Sequence, residues 1–364
     1  MRVMQLLPAL NQGGVERGTL DIARALVEAG HDSIVVSAGG RLVEQLEAEG
    51  STHLALDIGR KSLATFFKVF ALARLIRQHR PDIVHVRSRL PAWVLRLALK
   101  GIPVFERPKV VSTLHGLNSV SKYSEVMTVA DRVIAVSETC LNYWRSNYPK
   151  WDSANAVVIP RGIDVGQFKP LDPDIRAVVR LELGLEENTI GLLLPGRITR
   201  IKGHLALIEV LAKCIERGLS VKAFIVGEGK PGSGYIEEIK QRASELGVER
   251  HLVWLGHRGD MQQIYAAADV TLNLTSTGME SFGRTPVESI ACGTPVVAWD
   301  WGAVGETMRN LCPEGLVKVG DIDSTVNKSM AAKHFSRQPV ERHAYTLNEM
   351  ARATLAAYQE LIRP

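Results

Sequence analysis

Two glutamates, Glu280 and Glu288, flank a Ser-Phe-Gly turn in the second half of the chain, within the stretch GMESFGRTPVE that covers residues 278–288. Pro286 suits the first turn of a helix, so this turn is expected to open one there. Backbone amides at such a helix start can bind phosphate, and carboxylates accept hydrogen bonds from hydroxyl groups. Thr285 and Glu288 also fit a capping box, a purely structural interpretation that leaves Glu280 unexplained.

Two long cations, Arg197 and Lys202, follow the end of a predicted strand in the same half. Placed together, they can clamp a diphosphate and neutralise the charge that develops on it as a leaving group. The alternative is a pair of solvated surface charges. Because ligands of open α/β sheets bind beyond the carboxyl ends of the strands, the position of the pair favours a function.

Gly13 and Gly14 follow the first predicted strand and precede a helix. Glycine lets backbone amides approach an anion at a helix start, but a tight turn also needs glycine for its conformation alone. The pattern is not a dinucleotide fingerprint, because the second strand ends in Ser37-Ala38-Gly39-Gly40 and has no acidic residue for a ribose. We therefore do not expect the first half to bind NAD.

The elements that must position these side chains alternate between strand and helix in both halves. Short β-branched runs separated by helical patterns predict parallel sheets covered on both faces, which is the α/β class. The predicted strands are residues 2–7, 32–37, 83–86, 109–114 and 132–136 in the first half, and 189–194, 221–226, 252–255, 270–274 and 295–298 in the second. Turn-rich residues 160–164 form the predicted linker. The predicted domains are residues 1–164 and 165–338, followed by a helical C-terminal segment, residues 339–364.

Composition places the chain among soluble globular proteins, with 46% hydrophobic and 23% charged residues over 364 positions. The four cysteines are far apart and lack metal-ligand spacing, which fits a reducing compartment. No run of about 18 uncharged apolar residues occurs, and the first apolar stretch stops at Pro8. We therefore expect a cytoplasmic protein.

Positive charge is concentrated in the first half. Residues 1–170 hold 22 Lys/Arg and 15 Asp/Glu, whereas residues 171–364 hold 22 and 24. Within residues 60–100, ten basic side chains accompany one acid, Asp82. The apolar residues interspersed with them at helical spacing are Leu63, Phe66, Phe67, Phe70, Leu72, Leu75 and Ile76, and Trp93 follows among further cations.

We interpret residues 60–100 as a docking surface for an anionic membrane or an anionic lipid-linked saccharide, such as lipopolysaccharide core or a phosphoinositol lipid. The protein would then be peripheral at the inner face of the cytoplasmic membrane. The structural alternative is that the apolar side chains cover the sheet, which we expect for Phe66 and Phe70. Nucleic acid is not an expected partner, because the aromatic residues have helical spacing and do not interleave with basic strands.

Taken in order along the chain, these motifs resemble the family 4 retaining glycosyltransferases, or glycosyl transferases group 1. The two glutamates match that family's E-x(7)-E pattern, and the run from Ala291 to Val297, ACGTPVV, continues it. Further matches are Gly196-Arg197, Lys202-Gly203, Val226-Gly227-Glu228-Gly229 and Leu255-Gly256. The resemblance implies the GT-B fold, in which two Rossmann-like domains have parallel sheets facing a cleft and the last helix returns to the N-terminal domain.

The resemblance also implies roles for individual residues. Arg197 and Lys202 would hold the donor diphosphate, Glu288 its ribose and Glu280 the transferred sugar. His115, at the end of a strand in Thr113-Leu114-His115-Gly116, matches the family's active-site histidine, although a lone histidine is otherwise more often structural. The implied catalytic set is His115, Arg197, Lys202 and Glu280, and the other donor-binding residues are Gly14, Gly227, His257, Ser281, Phe282, Gly283, Arg284 and Glu288.

The implied reaction transfers a sugar from a nucleoside-diphosphate sugar, which we expect to be a UDP-sugar, to a saccharide or lipid-linked glycan such as lipopolysaccharide core, with retention of configuration. No metal and no further cofactor are expected, because no Asp-x-Asp cluster lies at the expected donor site. The alternatives are a sugar-nucleotide 2-epimerase of GT-B fold and a non-catalytic binding module. Two features depart from the family pattern: Arg161 replaces the linker asparagine, and Arg284-Thr285-Pro286 replaces an aliphatic run.

Overall fold

The computed structural model describes residues 1–11, 13–62, 65–230, 232–276 and 280–363, without the side chain of Phe66. The chain divides into two compact units. The first consists of Met1–Arg161 together with Leu347–Pro364, and the second is Gly162–Thr346. The predicted boundaries lie after residues 164 and 338. Ile163 forms an isolated parallel bridge with Thr346, so the two ends of the second unit run side by side.

The first unit contains a parallel sheet with the strand order β3-β2-β1-β4-β5-β6-β7. Its strands are β1 (Arg2–Leu6), β2 (Asp32–Ser37), β3 (Thr52–Ala55), β4 (Ile83–Val86), β5 (Lys109–Leu114), β6 (Arg132–Ala135) and β7 (Ala156–Val158). Its helices are α1 (Gly14–Glu28), α2 (Val43–Ala48), α3 (Thr65–His79), α4 (Arg89–Lys100), α5 (Lys122–Glu125), α6 (Glu138–Asn147) and, from the end of the chain, α14 (Leu347–Ile362). All four residues of the central strand β4 are buried, because helices cover both faces of the sheet.

Helix α14 is part of the core of the first unit. Met350, Ala357 and Tyr358 are buried in one cluster with residues of β1, α1, β4 and β5. The hydroxyl of Tyr358 lies 2.6 Å from Nδ1 of His85, whose Nε2 lies 2.7 Å from Oγ1 of Thr113. Burial, and after it the nearby arginines, lowers the pKa of His85 well below its usual value. A neutral ring therefore links α14 to the sheet.

The second unit contains a parallel sheet with the order β10-β9-β8-β11-β12-β13. Its strands are β8 (Ile190–Pro195), β9 (Val221–Val226), β10 (Leu252–Gly256), β11 (Val270–Asn273), β12 (Val296–Trp299) and β13 (Leu316–Val317). Its helices are α7 (Pro173–Glu182), α8 (His204–Glu216), α9 (Tyr235–Glu245), α10 (Met261–Ala267), α11 (Arg284–Ala291), α12 (Gly302–Leu311) and α13 (Ile322–Ala331). Apolar residues of β8, β9, β11 and α8 form a buried cluster in this unit.

Both sheets reverse their strand order at a central strand. In the first unit β2 and β4 lie on opposite sides of β1, and in the second β9 and β11 lie on opposite sides of β8. Connections that leave in opposite directions open a crevice beyond the carboxyl ends of the neighbouring strands. The topology therefore gives each unit a binding position, after β1 and β4 in the first and after β8 and β11 in the second.

The predicted α/β class with two parallel sheets is confirmed. Strands β3, β7 and β13 were not predicted, since they lie at sheet edges and have only 4, 3 and 2 residues. In addition, β3 is only half buried and lacks a continuous apolar run. The helix predicted to open at Pro286 begins at Arg284, which leaves Pro286 within its first turn. Leu63, the first of the apolar residues at helical spacing, lies outside the described residues.

The expectation that Phe70 covers the sheet is wrong, because its side chain is 77% exposed. Helix α3 is buried through Leu72 and Ile76 instead. Phe70 precedes Leu72 by two residues, which places it about 200° around the helix on the solvent side. The same expectation for Phe66 falls on a side chain outside the described part.

No helix within the described ranges is both long and apolar enough to cross a bilayer.

Candidate functional site

Lys202 and Glu280 form an ion pair at the switch point of the second sheet. Lys202 closes the 3-10 turn Arg200–Lys202 after β8, and Glu280 follows the neighbouring strand β11. Both side chains are mostly buried, with 20% and 19% of their surface exposed. Removing either partner would leave a partly buried charge without compensation, which is costly. Gly278 and Met279 of the predicted motif lie outside the described residues.

Gly203 allows the two sides of this pair to approach each other. Its φ of 77° is in the left-handed region, and a Cβ at this position would lie 2.2 Å from the carbonyl oxygen of Leu274. Only glycine tolerates both conditions. The start of α8 therefore rests directly on the backbone that leads from β11 towards Glu280.

Arg197 follows Gly196 at the end of β8 and is exposed to solvent. The backbone beside it is closely packed: a Cβ at Gly227 would lie 2.1 Å from the carbonyl oxygen of Gly196, and the φ of Gly227 is 143°. The amide of Gly227 donates to the carbonyl of Gly256 at 2.8 Å. The ends of β8, β9 and β10 thus present bare backbone, against which a ligand can lie closely.

Glu288 is held inside the second unit by two partners. The Tyr265 hydroxyl donates to its carboxylate at 2.9 Å, and Nε of Arg284 lies 3.3 Å from the other carboxylate oxygen. Burial raises the pKa of Glu288, while the Arg284 charge and the Tyr265 hydrogen bond oppose that shift. The pKa of Tyr265 is raised well above its usual value, chiefly by burial and then by the Glu288 charge.

The capping-box interpretation does not describe the start of α11. Thr285 lies inside the helix, where its hydroxyl accepts a hydrogen bond from the Asn273 side chain at 3.2 Å. Glu288 is instead bonded to the Tyr265 hydroxyl and pairs with the Arg284 side chain. The glutamate is therefore held for a reason other than helix capping.

The segment between the two glutamates is anchored by Phe282. Its ring is buried and lies 5.8 Å from that of Tyr345, centroid to centroid. Gly283 is buried as well, and a Cβ there would lie 2.8 Å from a methyl group of Val304. The Phe282 side chain belongs to the core, and the donor contact expected of its backbone amide stays a prediction. The adjoining Ser281 is half-buried.

The remaining predicted donor residue of this unit, His257, follows β10 and is exposed. The structure pairs Lys202 with Glu280 and Arg284 with Glu288, and it puts Arg197 and Gly227 on adjacent strand ends. The part of His257 in the site stays a prediction, as do the roles of the others.

In the first unit His115 lies directly after β5. Its Nδ1 accepts a hydrogen bond from Nη2 of Arg161 at 2.7 Å, and its Nε2 atom is buried. Burial, followed by the charges of Arg161 and Arg87 and by His85, lowers the pKa of His115 well below its usual value. The ring is therefore neutral at neutral pH.

Arg161 reaches His115 because α1 has a glycine at the crossing. A Cβ at Gly18 would lie 2.1 Å from Nη1 of Arg161, which a larger residue would displace. Gly14 is exposed at the first position of the same helix and has open space around it. Both glycines therefore lie where α1 begins after β1.

Sequence reasoning missed two partners of the predicted site. Tyr265 lies in an apolar stretch of α10 and has the pattern of a core residue, so nothing marked its bond to Glu288. Arg161 was noticed only as a replacement for asparagine, and its contact with His115 spans 46 positions of sequence. Within the described ranges, no group of three or more His, Cys, Asp or Glu side chains is arranged to hold a metal ion.

The fold and these strand-end side chains define an α/β protein of two Rossmann-like units, each with a binding position at its switch point. Two family models match the chain: Glycosyltransferase Family 4 over residues 12–167 and Glycosyl transferases group 1 over residues 178–341. The chain belongs to the glycosyltransferases that these two models describe.

Individual relatives agree with this assignment. A D-inositol 3-phosphate glycosyltransferase of Actinosynnema mirum is 34% identical over 64% of this chain, and the match spans only 60% of that relative. The crystal structure of a glycosyltransferase from Rickettsia africae has a TM-score of 0.86 and 28% identity and covers 100% of this chain and 98% of its own. Anabaena Alr3699/HepE, crystallised in complex with UDP, has a TM-score of 0.76 and 23% identity over 99% of this chain and 96% of its own.

Proposed function

We propose that this protein is a retaining glycosyltransferase that transfers a sugar from a UDP-sugar to a saccharide or lipid-linked glycan of the cell envelope, such as lipopolysaccharide core. The observation that carries the proposal is the Lys202–Glu280 ion pair at the switch point of the second sheet. A cation and a carboxylate held together there match a ligand that has both phosphate and hydroxyl groups. The UDP bound by Anabaena Alr3699/HepE supports uridine as the nucleoside.

In this proposal the second unit binds the donor. Arg197 and Lys202 contact the diphosphate, Glu280 accepts hydrogen bonds from the transferred sugar, and Glu288 does so from the ribose. The bond between the anomeric carbon and the diphosphate breaks as the acceptor hydroxyl attacks from the same face, and the hydroxyl proton passes to the leaving phosphate oxygen. The two cations stabilise the departing charge, so no metal and no further cofactor is invoked.

A donor screen tests the proposal directly. Thermal unfolding is measured with UDP, GDP and ADP sugars, since a ligand that binds the folded state raises the unfolding midpoint. We expect a UDP-sugar to give the largest shift, and Lys202→Ala to remove it. Equal shifts for all three nucleotides, or none, would contradict the donor assignment. Incubation of the best donor without acceptor separates transfer from epimerisation, because a 2-epimerase would still convert the sugar.

We further propose that the first unit docks on the anionic inner surface of the cytoplasmic membrane through residues 60–100. On α3 the rings of Phe67 and Phe70 are 75% and 77% exposed, and Arg74 and Arg77 are exposed on the same helix. Beside them an apolar cavity of about 640 Å³ opens between α3 and α4, with Arg60 and Lys61 in its lining. Exposed aromatic rings next to cations suit an interface of acyl chains and anionic headgroups. Arg87 is buried and is not part of this surface.

Flotation with vesicles tests the docking surface. We expect binding to vesicles that contain phosphatidylglycerol, little binding to pure phosphatidylcholine, and loss of binding in Phe67→Ser/Phe70→Ser. The matched control is Ile175→Ser/Leu181→Ser, which removes two exposed apolar side chains from α7 in the other unit. Equal binding to both vesicle types, or to neither, would rule out the proposal, as would an equal loss in the control.

A further inference from the structure

The contact between Arg161 and His115 determines which nitrogen of the imidazole ring carries the proton. A guanidinium group has only donors and stays protonated in proteins, so the atom that it contacts must accept. At 2.7 Å from Nη2 of Arg161, Nδ1 of His115 must therefore have its lone pair free of a proton. In a neutral imidazole the proton then lies on Nε2.

We infer that Arg161 is a positioning residue that holds His115 as the neutral Nε2–H tautomer, so that His115 serves the reaction as a hydrogen-bond donor and not as a base. The catalytic part of this inference rests on the proposed function. The tautomer itself does not, because it follows from the contact alone. A base at Nε2 would need the lone pair that this proton occupies.

The groups around the His115 ring also oppose its protonation. The charged and titratable groups that affect His115 are Arg161 after β7, Arg87 after β4 and His85 on β4, and each opposes protonation. Arg161 is held over α1 by the absence of a side chain at Gly18. The asparagine that usually occupies this position in the family has an amide that can donate or accept, so it would not select one tautomer.

Nitrogen NMR can read the tautomer without any assay of activity. The full chain is labelled with 15N-histidine, and His115 is assigned by the loss of its signals in His115→Gln. We expect long-range 1H–15N correlations of the Nε2–H pattern for His115, persisting from neutral pH to about pH 5. The variants are Arg161→Ala and Gly18→Ala, and Arg132→Ala is the control, since the half-buried Arg132 pairs with Glu360 in the same unit. Unchanged signals of His53, whose ring bonds Ser37 in the same unit, show that the fold is intact.

In Arg161→Ala and Gly18→Ala we expect a mixture of tautomers and a pKa of His115 closer to its usual value, with no change in the control. A Nδ1–H pattern or a charged ring at neutral pH in the wild type would overturn the inference. So would an unchanged pattern in Arg161→Ala.

In the transfer assay, Arg161→Ala should lower kcat by about tenfold, the loss of one well-placed hydrogen bond, with little change in donor KM. If the wild type transfers no sugar, the proposed function fails, and the NMR result still decides the role of Arg161.

Discussion

Tyr265 donates a hydrogen bond to Glu288 across 2.9 Å in the interior of the second unit. The two side chains come from different helices, α10 and α11, and the carboxylate also pairs with Arg284 on its own helix. Two fixed partners leave a buried carboxylate little freedom to turn. Glu288 is therefore oriented before any ligand arrives, which is a property that binding sites gain from supporting residues.

Tyr265→Phe should weaken donor binding by about tenfold, the effect of losing one buried hydrogen bond of about 1 kcal/mol and the orientation that it gives. Because that bond lowers the pKa of Glu288 against the effect of burial, the variant should also raise this pKa. Donor affinity would then fall more steeply on acidification than in the wild type. Isothermal titration with the UDP-sugar at several pH values measures both effects.

The matched control is Tyr143→Phe in the first unit, which also loses a tyrosine hydrogen bond, to the carbonyl of Asn118 at 2.6 Å. It should lower stability to a similar degree without affecting donor affinity. Equal affinities in wild type and Tyr265→Phe would mean that Glu288 needs no support from its neighbour.

Lys202→Ala and Glu280→Ala should each abolish transfer and leave the fold intact. Each variant loses a predicted donor contact and leaves the other charge partly buried, so we also expect a stability loss of about 1–3 kcal/mol. The control lies two residues away: Arg200 pairs with Glu238 on the surface, with 67% and 39% of the side chains exposed. Arg200→Ala should leave stability almost unchanged and keep activity, because an ion pair between exposed side chains contributes little. Near wild-type turnover in either Lys202→Ala or Glu280→Ala would refute the assigned role.

The individual residues of this pair were predicted from local patterns, but their contact was not. Lys202 follows a strand and Glu280 precedes a helix, and both facts can be read from neighbouring residues. Their contact depends on β11 lying beside β8, and the order of strands in a sheet is set by packing over the whole unit. Phe70 shows the same limit: helical spacing predicts a buried residue, whereas the orientation of α3 leaves its side chain in solvent.

Gly227→Ala should destabilise the second unit by about 2–4 kcal/mol. The added methyl group would meet the carbonyl oxygen of Gly196 at 2.1 Å, and the φ of 143° is unfavourable for alanine. The strain would separate the ends of β8 and β9, so donor binding should be lost as well. Gly259→Ala is the control, because a Cβ there meets nothing within 4 Å. Thermal unfolding and donor titration measure the two effects, and similar behaviour of the two variants would contradict the close approach.

His115→Ala should cost rate more than donor binding. Removing a single preorganised hydrogen-bond donor from a reaction centre typically costs on the order of 100-fold in kcat. The donor diphosphate and ribose are assigned to the other unit, so donor affinity should stay within about threefold. His53→Ala serves as the control in the same unit, since its ring bonds Ser37 and has no assigned role. A large loss of donor affinity with unchanged kcat would contradict the prediction.

His204 should make the second unit less stable in acid. It is fully buried at the start of α8, where burial, aided by the charge of Lys202, lowers its pKa to about 4. The unfolded chain takes up this proton near its usual value, about pH 6.5, and the folded chain only near pH 4. The free energy of unfolding is therefore highest above pH 6.5 and falls as the pH drops from 6.5 towards 4, by up to about 3 kcal/mol from this residue.

Urea unfolding at a series of pH values, followed by hydrogen exchange of β8 and β9 peptides, should show this decline in the wild type and in His334→Gln, an exposed control. The decline should be much smaller in His204→Gln, because glutamine does not titrate. An equal decline in all three proteins would place the acid sensitivity elsewhere in the second unit.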